Sequence, residues 1–297
     1  VEDVHHEAIS LLFMNQVNVE FNGQLTLAIQ VFKGEYNRKF MLQLISSQLD
    51  MDRMDYLKRD SFYSGVSEGN VNSERLIQMM NVVDDVLVIE EKGIYSVEKF
   101  LMSRRLMYWQ VYLHKTSLVA ELILTKILKR AKELTQKGVH LPCSAPLTFF
   151  MENKVTITTF DAETLDLFAQ LDDFDIISAL KSWQKQDDFI LSSLSKMIVN
   201  RDLLKIKLTS EKVTIEELQP LKERFATANN ISLLETNYFI FNGKIKNQAY
   251  SKEAEPIRIL NKDKTIEDVV DASDQLNLKS LSKSVTKYYS CFPKQLL

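Results

Sequence analysis

The chain has little that would interrupt long helices. Its 297 residues include only seven glycines and five prolines, and all five prolines follow residue 140. Glycine and proline most often end helices and form turns, so their scarcity predicts helix after helix over the first 140 residues. With 45% hydrophobic residues, a chain of this length can form one large domain or two medium ones with real cores.

Further absences exclude whole classes of protein. Two widely separated cysteines, Cys143 and Cys291, do not make a disulfide framework, and they favour a reducing cytoplasm. No apolar run approaches the roughly 20 residues of a membrane span, and no signal peptide is visible. The net charge of −3 lacks the basic surplus typical of nucleic-acid-binding proteins. We therefore expect no membrane as partner and find no strong signal for a nucleic acid.

The predicted secondary structure changes near residue 200. Before it, apolar spacing predicts helices over 4–15, 37–48, 50–63 and 96–137, a hairpin within 84–93, and three more helices between 160 and 200. After it, strands are predicted at 203–208, 238–246 and 257–262, with a helix over 214–230. We predict a mainly α fold with a helical domain over 1–204 and a smaller α+β domain over 205–297.

The stretch SSQLDMDRMDYLKRD, residues 46–60, places polar groups on one helical face. At 100° per residue, Asp52, Tyr56, Arg59 and Asp60 share that face, and the apolar residues lie opposite. A solvated helix with ion pairs worth about 0.2–0.5 kcal/mol each would explain the pattern. The alternative is one wall of a site, with a carboxylate for a metal ion and an arginine for phosphate. The pattern alone leaves both interpretations open. Asp50 points to the apolar side and is predicted to cap the helix, and Gly65 is predicted to end it.

A second stripe lies in the predicted long helix, in the sequence LMSRRLMYWQVYLHKTSL. On an ideal helix, Arg104, Tyr108, Tyr112 and Lys115 fall within one arc over three turns. Tyrosines in a core with snorkelling cations at its rim would give this arrangement. An anionic ligand lying along the stripe would give it too, because cations meet phosphates and phenols meet a sugar or base.

The chain begins with a run of ionisable residues, His5, His6 and Glu7 in the sequence HHEAIS. Alone, the run is as typical of a solvated first helical turn as of a catalytic group.

Taken together, these segments resemble the HD-domain phosphohydrolases, and most closely their deoxynucleotide triphosphohydrolase-like branch. SSQLDMDRMDYLKRDSFYSGV is similar to the signature around the family's last metal-ligand aspartate. HHEAIS resembles the family's His-Glu helix start, and RRLMYWQVYLHK its Arg…Tyr-x-His-Lys helix. The resemblance runs in order from about residue 4 to residue 208. It implies an HD-type helical bundle that hydrolyses a nucleotide, in many relatives a dNTP to a deoxynucleoside and triphosphate.

The resemblance also implies roles for single residues. Asp52 matches the aspartate that holds the divalent metal, which would be Mn, Mg, Fe, Ni or Zn. Arg53 matches a residue that approaches phosphate, and Tyr56 a tyrosine beside the sugar and phosphates. Asp60 matches the aspartate that binds the sugar 3′-hydroxyl, and His6 a histidine that assists proton transfer.

The second stripe matches substrate-binding positions. Arg104 and Lys115 match phosphate contacts, and Tyr112 matches a tyrosine against the deoxyribose. We include Tyr108 among the candidate substrate-binding residues and Glu7 beside His6 as a candidate catalytic residue.

One departure from the family pattern bears on activity. The family's metal is held by a histidine, an adjacent His-Asp pair and a later aspartate, yet this sequence contains four histidines and no His-Asp dipeptide. Three of the four metal ligands are therefore missing. Because the chain also begins without methionine, we expect it to be N-terminally incomplete and inactive alone, as part of an active parent protein.

Two alternatives remain at this stage. The chain could be a catalytically silent nucleotide-binding or assembly module, or an HD hydrolase of another nucleotide phosphate. Relatives use the C-terminal region in oligomer contacts or regulation, so a homo-oligomer is expected.

Overall fold

A computed structural model describes residues 4–253, 255–274, 278 and 282–296. The chain forms two compact units, each made of separate segments. The first unit comprises Val1–Gly23, Lys115–Lys244 and Tyr288–Leu297. The second unit comprises Gln24–His114 and Ile245–Lys287.

Helices dominate the described part of the chain. They are α1 (His6–Glu20), α2 (Thr26–Phe32), α3 (Lys39–Ile45), α4 (Met51–Ser64), α5 (Ser73–Gln78), α6 (Ile94–Met107), α7 (Lys115–Gln136), α8 (Ala145–Glu152), α9 (Ala162–Ala169), α10 (Asp173–Trp183), α11 (Phe189–Val199), α12 (Ile215–Asn229) and α13 (Val269–Ala272). The mainly α fold with a smaller α+β C-terminal region is thus confirmed.

The strands among the described residues form two small sheets. They are β1 (Met80–Val83), β2 (Val86–Glu90), β3 (Lys205–Thr209), β4 (Phe241–Asn247), β5 (Arg258–Leu260), β6 (Ile266–Asp268) and β7 (Val285–Phe292). One sheet has the order β1-β2-β5-β6 and the other the order β3-β7-β4. A hairpin is present, but it is formed by β1 and β2, so its first strand lies before the predicted bounds of 84–93. Asp84 and Asp85, predicted to lie in the hairpin, form its turn, and both have positive φ as tight hairpin turns require.

The predicted domain boundary between residues 204 and 205 lies inside the first unit. The reason is strand pairing. β5 joins the second unit by pairing in parallel with β2, as in Ile89 opposite Ile259. β3 pairs antiparallel with β7 in the first unit, as in Ile206 opposite Cys291. Residues after 205 are therefore shared between the two units.

The core of the second unit supports the candidate site. Leu57 of α4, Phe100 of α6 and Ile259 of β5 belong to one buried apolar cluster. The C-terminal segment of the chain thereby helps to fix the helices α4 and α6. In the first unit, a smaller buried cluster joins Ile9 of α1 to Phe150 of α8.

The prediction of one helix over 96–137 was wrong. Helix α6 ends at Met107, a π-helical turn follows over Tyr108–Tyr112, and α7 begins at Lys115. The Leu113 amide donates to the Tyr108 carbonyl at 2.7 Å, five residues back instead of four. No glycine or proline lies at this break, so the local sequence pattern does not indicate it. Within the described residues, no helix is long and apolar enough to cross a membrane.

Candidate functional site

Helix α4 presents the residues that the sequence singled out. Its first turn is capped by Asp50, whose Oδ1 accepts from the Arg53 amide at 2.7 Å, as predicted for a cap. Gly65 ends it in the left-handed region at φ 72°, where glycine has no Cβ penalty. Met54 and Leu57 are buried in the core. The opposite face therefore carries Asp52, Tyr56 and Asp60, as the spacing predicted.

Arg53 braces the start of this helix. Its guanidinium donates to the Asp50 carboxylate and to the Ser47 carbonyl. Asp50 also accepts from the Ser47 amide at 3.0 Å. The carboxylate is buried, so one group satisfies two backbone amides and a cation. Sequence reasoning gave Asp50 the cap but missed this arginine contact, and the phosphate-binding role of Arg53 stays a prediction.

Arg59 and Asp55 form a pair on the exposed side of α4. Arg59 Nη2 donates to Asp55 Oδ2 at 2.5 Å, and more than half of each side chain is exposed. This is a surface ion pair of the kind expected if α4 were only a solvated helix. Such pairs contribute about 0–1 kcal/mol to stability. Arg59 is therefore committed to Asp55 and not to the Asp52 side of the helix.

Tyr112 and Asp60 are joined by the central hydrogen bond of the site. The Tyr112 hydroxyl donates to Asp60 Oδ2 at 2.7 Å. Burial, and then this bond to Asp60, raise the pKa of the Tyr112 phenol well above its ordinary value. The phenol stays neutral and keeps donating at any physiological pH, which fixes the orientation of the carboxylate.

Three tyrosines pack edge to face around this bond. The ring centroids of Tyr56 and Tyr112 are 6.0 Å apart, and those of Tyr108 and Tyr112 are 5.2 Å apart. Burial, and then the neighbouring Tyr108, raise the pKa of Tyr56 to about 12. We name Tyr56, Asp60, Tyr108 and Tyr112 the tyrosine cluster. It offers phenol oxygens, a carboxylate and aromatic edges on one wall.

The π-helical turn places two members of this cluster. Tyr108 and Tyr112 are its first and last residues. A π-helical turn adds one residue to a turn, and such turns are frequent at functional sites. The prediction that Lys115 shares an arc with Arg104, Tyr108 and Tyr112 assumed an unbroken α-helix. Because the α-helix is interrupted at this turn, that spacing does not apply to Lys115.

Arg104 lies at the end of α6 beside the cluster. Its Nη1 donates to the Ala249 carbonyl at 3.0 Å, and its Cζ is 5.9 Å from the Tyr108 ring centroid. Its buried Nε has no hydrogen-bond partner among the described residues. The carbonyl comes from the C-terminal segment, about 145 residues away in sequence, and no local pattern could have predicted it.

The remaining candidates belong to the first unit. His6 and Glu7 open α1, with His6 Nε2 3.4 Å from Glu7 Oε1 and both side chains mostly exposed. Lys115 is the first residue of α7 and is exposed. Their predicted catalytic and phosphate-binding roles stay predictions.

A family model and a solved structure both relate this chain to the HD-type phosphohydrolases. Residues 71–140 match the model of an HD associated region. The crystal structure of a phosphohydrolase from Bacteroides thetaiotaomicron superimposes with a TM-score of 0.93 at 49% identity, covering 99% of this chain and 73% of that one. The chain belongs to the HD-domain phosphohydrolases. Within them it falls in the deoxynucleotide triphosphohydrolase-like branch, as the sequence motifs predicted.

Two curated relatives of this HD-domain phosphohydrolase are longer than the chain. It is 42% identical over 176 residues to the uncharacterized protein YwfO of Bacillus subtilis, which covers 59% of this chain and 39% of that protein. It is 25% identical over 142 residues to a protein of Dictyostelium discoideum named deoxynucleoside triphosphate triphosphohydrolase SAMHD1 homolog, covering 43% and 27%. The chain thus spans about two fifths or less of the length of these two relatives.

HD-domain phosphohydrolases generally use divalent metal ions, so the donor set of this chain can be tested for fit. Asp52, the predicted ligand, is exposed on α4. The described residues contain no group of three or more His, Cys, Asp or Glu side chains that could hold a metal ion. One carboxylate does not make a tight transition-metal site. The described residues alone do not fit the metal.

Proposed function

We propose that this HD-domain phosphohydrolase acts on a nucleotide, and specifically on a dNTP, releasing a deoxynucleoside and triphosphate. The observation that carries the proposal is the 2.7 Å bond from Tyr112 to Asp60 within the tyrosine cluster. It holds a carboxylate in one orientation beside aromatic edges, as recognition of a sugar hydroxyl needs. The Dictyostelium discoideum relative is named as a deoxynucleoside triphosphate triphosphohydrolase homolog, which supports the substrate class.

In this proposal the chain's own residues bind and orient the substrate. Asp60 accepts the 3′-hydroxyl of the sugar, and Tyr56, Tyr108 and Tyr112 pack against the sugar. The unpartnered Nε of Arg104 gives a buried donor for a phosphate oxygen. The phosphate-binding roles of Arg53 and Lys115, and proton transfer by His6 with Glu7, enter the proposal from the family resemblance alone and not from the geometry of the tyrosine cluster.

We further propose that Asp52 contributes one ligand to a divalent metal ion, whose identity the chain does not fix. No step of substrate binding by the tyrosine cluster depends on this part of the proposal.

The test is hydrolysis of a nucleotide panel by the protein as produced from its gene, with Mn²⁺ or Mg²⁺. We expect nucleoside and triphosphate from dNTPs, and loss of product in Asp52→Ala. Asp55→Ala is the matched control, because it removes an exposed carboxylate from the same helix. No nucleoside release, with Asp52→Ala indistinguishable from the unchanged protein, would contradict the proposal. Products from nucleoside monophosphates, cyclic nucleotides or guanosine polyphosphates alone would shift it to another substrate.

A second candidate is a catalytically silent nucleotide-binding or assembly module. It is favoured by the absence of a metal-holding group of side chains from the described residues. Metal analysis of the purified chain distinguishes the two, because stoichiometric Fe, Mn, Ni or Zn contradicts the silent module.

The expected homo-oligomer is also part of this proposal. Phe62 and Tyr63 of α4 stack edge to face and are 80% and 81% exposed, an unusual exposure for two adjacent aromatic residues. Light scattering after gel filtration should show a smaller particle for Phe62→Ser/Tyr63→Ser. An unchanged mass would remove this pair from the interface. Location in the cytoplasm stays a prediction, supported by two free cysteines.

A further inference from the structure

A cleft lined by cations lies within the second unit. It is an open cavity of about 470 Å³, a size typical of small-molecule sites. Its charged lining is Arg38, Lys39 and Arg258 against the single carboxylate Glu255. It shares no lining residue with the tyrosine cluster.

The positive charge of this cleft is only partly neutralised. Arg38 Nε pairs with Asp85 Oδ1 at 2.9 Å, which leaves the guanidinium's terminal nitrogens open. The side chains of Lys39 and Arg258 have no hydrogen-bond or ion-pair partner among the described residues. Arg258 is half-buried in the wall of the cleft, and its charge has no counter-ion among the described residues. An anion in the cleft would supply one.

The rest of the lining suits an organic group. Val31, Leu42 and Val86 supply apolar surface, and Tyr36 supplies a half-buried ring. Cations on one part of a wall and apolar groups on another fit a ligand that joins a charged group to a ring or chain.

The walls of the cleft are held in place before any ligand binds. Gln43 Oε1 accepts from the Leu87 amide at 2.7 Å, and Gln43 Nε2 donates to Glu255 Oε1 at 2.8 Å. The same side chain thus ties α3 to β2 and to the segment before β5. Such preorganisation lowers the entropy that a ligand must lose on binding.

We propose that this cleft binds an organic phosphate. The phosphate lies at Arg38, Lys39 and Arg258, because a guanidinium fork matches a tetrahedral dianion better than it matches a neutral group. The organic part packs against the apolar wall and Tyr36. This inference does not rest on the hydrolase proposal, since the two sites have no residue in common.

Calorimetric titration of the whole protein tests the site, with AMP, adenosine and inorganic phosphate as probes. AMP should bind more tightly than either of its parts. The double variant Lys39→Gln/Arg258→Gln should lower the affinity for AMP by about tenfold or more. The control Lys99→Gln/Lys246→Gln loses the same charge from two exposed lysines of the same unit and should bind like the unchanged protein. The Asp60→Ala variant should bind AMP in this cleft with unchanged affinity. That result separates the cleft from the proposed substrate site.

Several outcomes overturn the proposal. AMP affinity unchanged in Lys39→Gln/Arg258→Gln, equal affinity for adenosine, or no AMP binding would each do so. Arg258 belongs to a strand, so its substitution could disturb folding. The single variant Lys39→Gln changes only an exposed side chain, and it should lower the affinity for AMP severalfold. Loss of AMP binding in Asp60→Ala with none in the cleft variants would assign the ligand to the tyrosine cluster.

Discussion

Helix α4 carries two aspartate–arginine pairs that differ mainly in burial. Asp50 and Arg53 lie at its start, with the carboxylate buried and also bonded to the Ser47 amide. Asp55 and Arg59 lie one turn later with both side chains mostly exposed. The same two residue types thus serve as a structural cap and as a solvated pair. Residue type alone therefore does not determine what such a pair does, and we expect burial and bonds to the backbone to set its contribution to stability.

Asp50→Ala should give the largest effect on this comparison. It removes an N-cap, at about 0.5–2 kcal/mol, and takes the carboxylate acceptor from the Ser47 amide and the ion-pair partner from Arg53, at about 1–3 kcal/mol. We expect the free energy of unfolding to fall by about 2–4 kcal/mol, measured by urea unfolding followed by circular dichroism. Asp50→Asn keeps an oxygen for the cap and should lose less. Equal stability of Asp50→Ala and the unchanged protein would show that the buried pair is worth no more than the exposed one.

Tyr112→Phe should give a smaller effect, because Tyr112 and Asp60 are only half-buried. The substitution keeps the ring packing against Tyr108 and removes one hydrogen bond to a carboxylate. A loss of about 1–2 kcal/mol is expected in the same urea experiment. If Tyr112→Phe lowers dNTP turnover without lowering stability, the bond serves orientation of Asp60 and not the fold.

The tyrosine cluster should also make stability depend on alkaline pH. The pKa of Tyr56 is raised to about 12 by burial and by Tyr108, so the folded state favours the neutral phenol. This contribution is complete below the ordinary value of about 10 and is lost as pH rises through 12. Ultraviolet titration should show tyrosinate forming late, and Tyr56→Phe should remove part of that late change. A titration curve that Tyr56→Phe leaves unaltered would contradict the burial of this phenol.

Local signals in the sequence located helix ends well. The sequence predicts N-caps at Asp50, at Asn72 or Ser73, at Asp161, and at Asp172 or Asp173. In the structure the capping side chains are Asp50, Asn72, Asp161 and Asp172, and each accepts from a backbone amide in the first turn of its helix. Gly65 ends α4 as expected. These features succeed because a cap needs only a residue type three or so positions from its donor.

Long-range features could not be predicted in the same way. The Ala249 carbonyl that holds Arg104 and the Gln43 bridge to Glu255 depend on tertiary packing. The π-helical turn at Tyr108–Tyr112 contains no glycine or proline that would predict a break in the helix. Family motifs pointed to the members of the tyrosine cluster, but only the folded chain shows that Tyr112 donates to Asp60.

Asp55→Ala should give the smallest effect and completes the comparison with Asp50→Ala. The Asp55–Arg59 pair is solvated on both sides, and pairs of this kind four residues apart contribute about 0.3–0.5 kcal/mol. Salt screens such a pair, so the small difference from the unchanged protein should vanish in about 1 M NaCl. Under the same salt, the Asp50→Ala defect should persist, because backbone bonds to a buried carboxylate are screened little. If salt removed both defects alike, charge attraction alone would govern the two pairs, and burial would not distinguish the two ends of this helix.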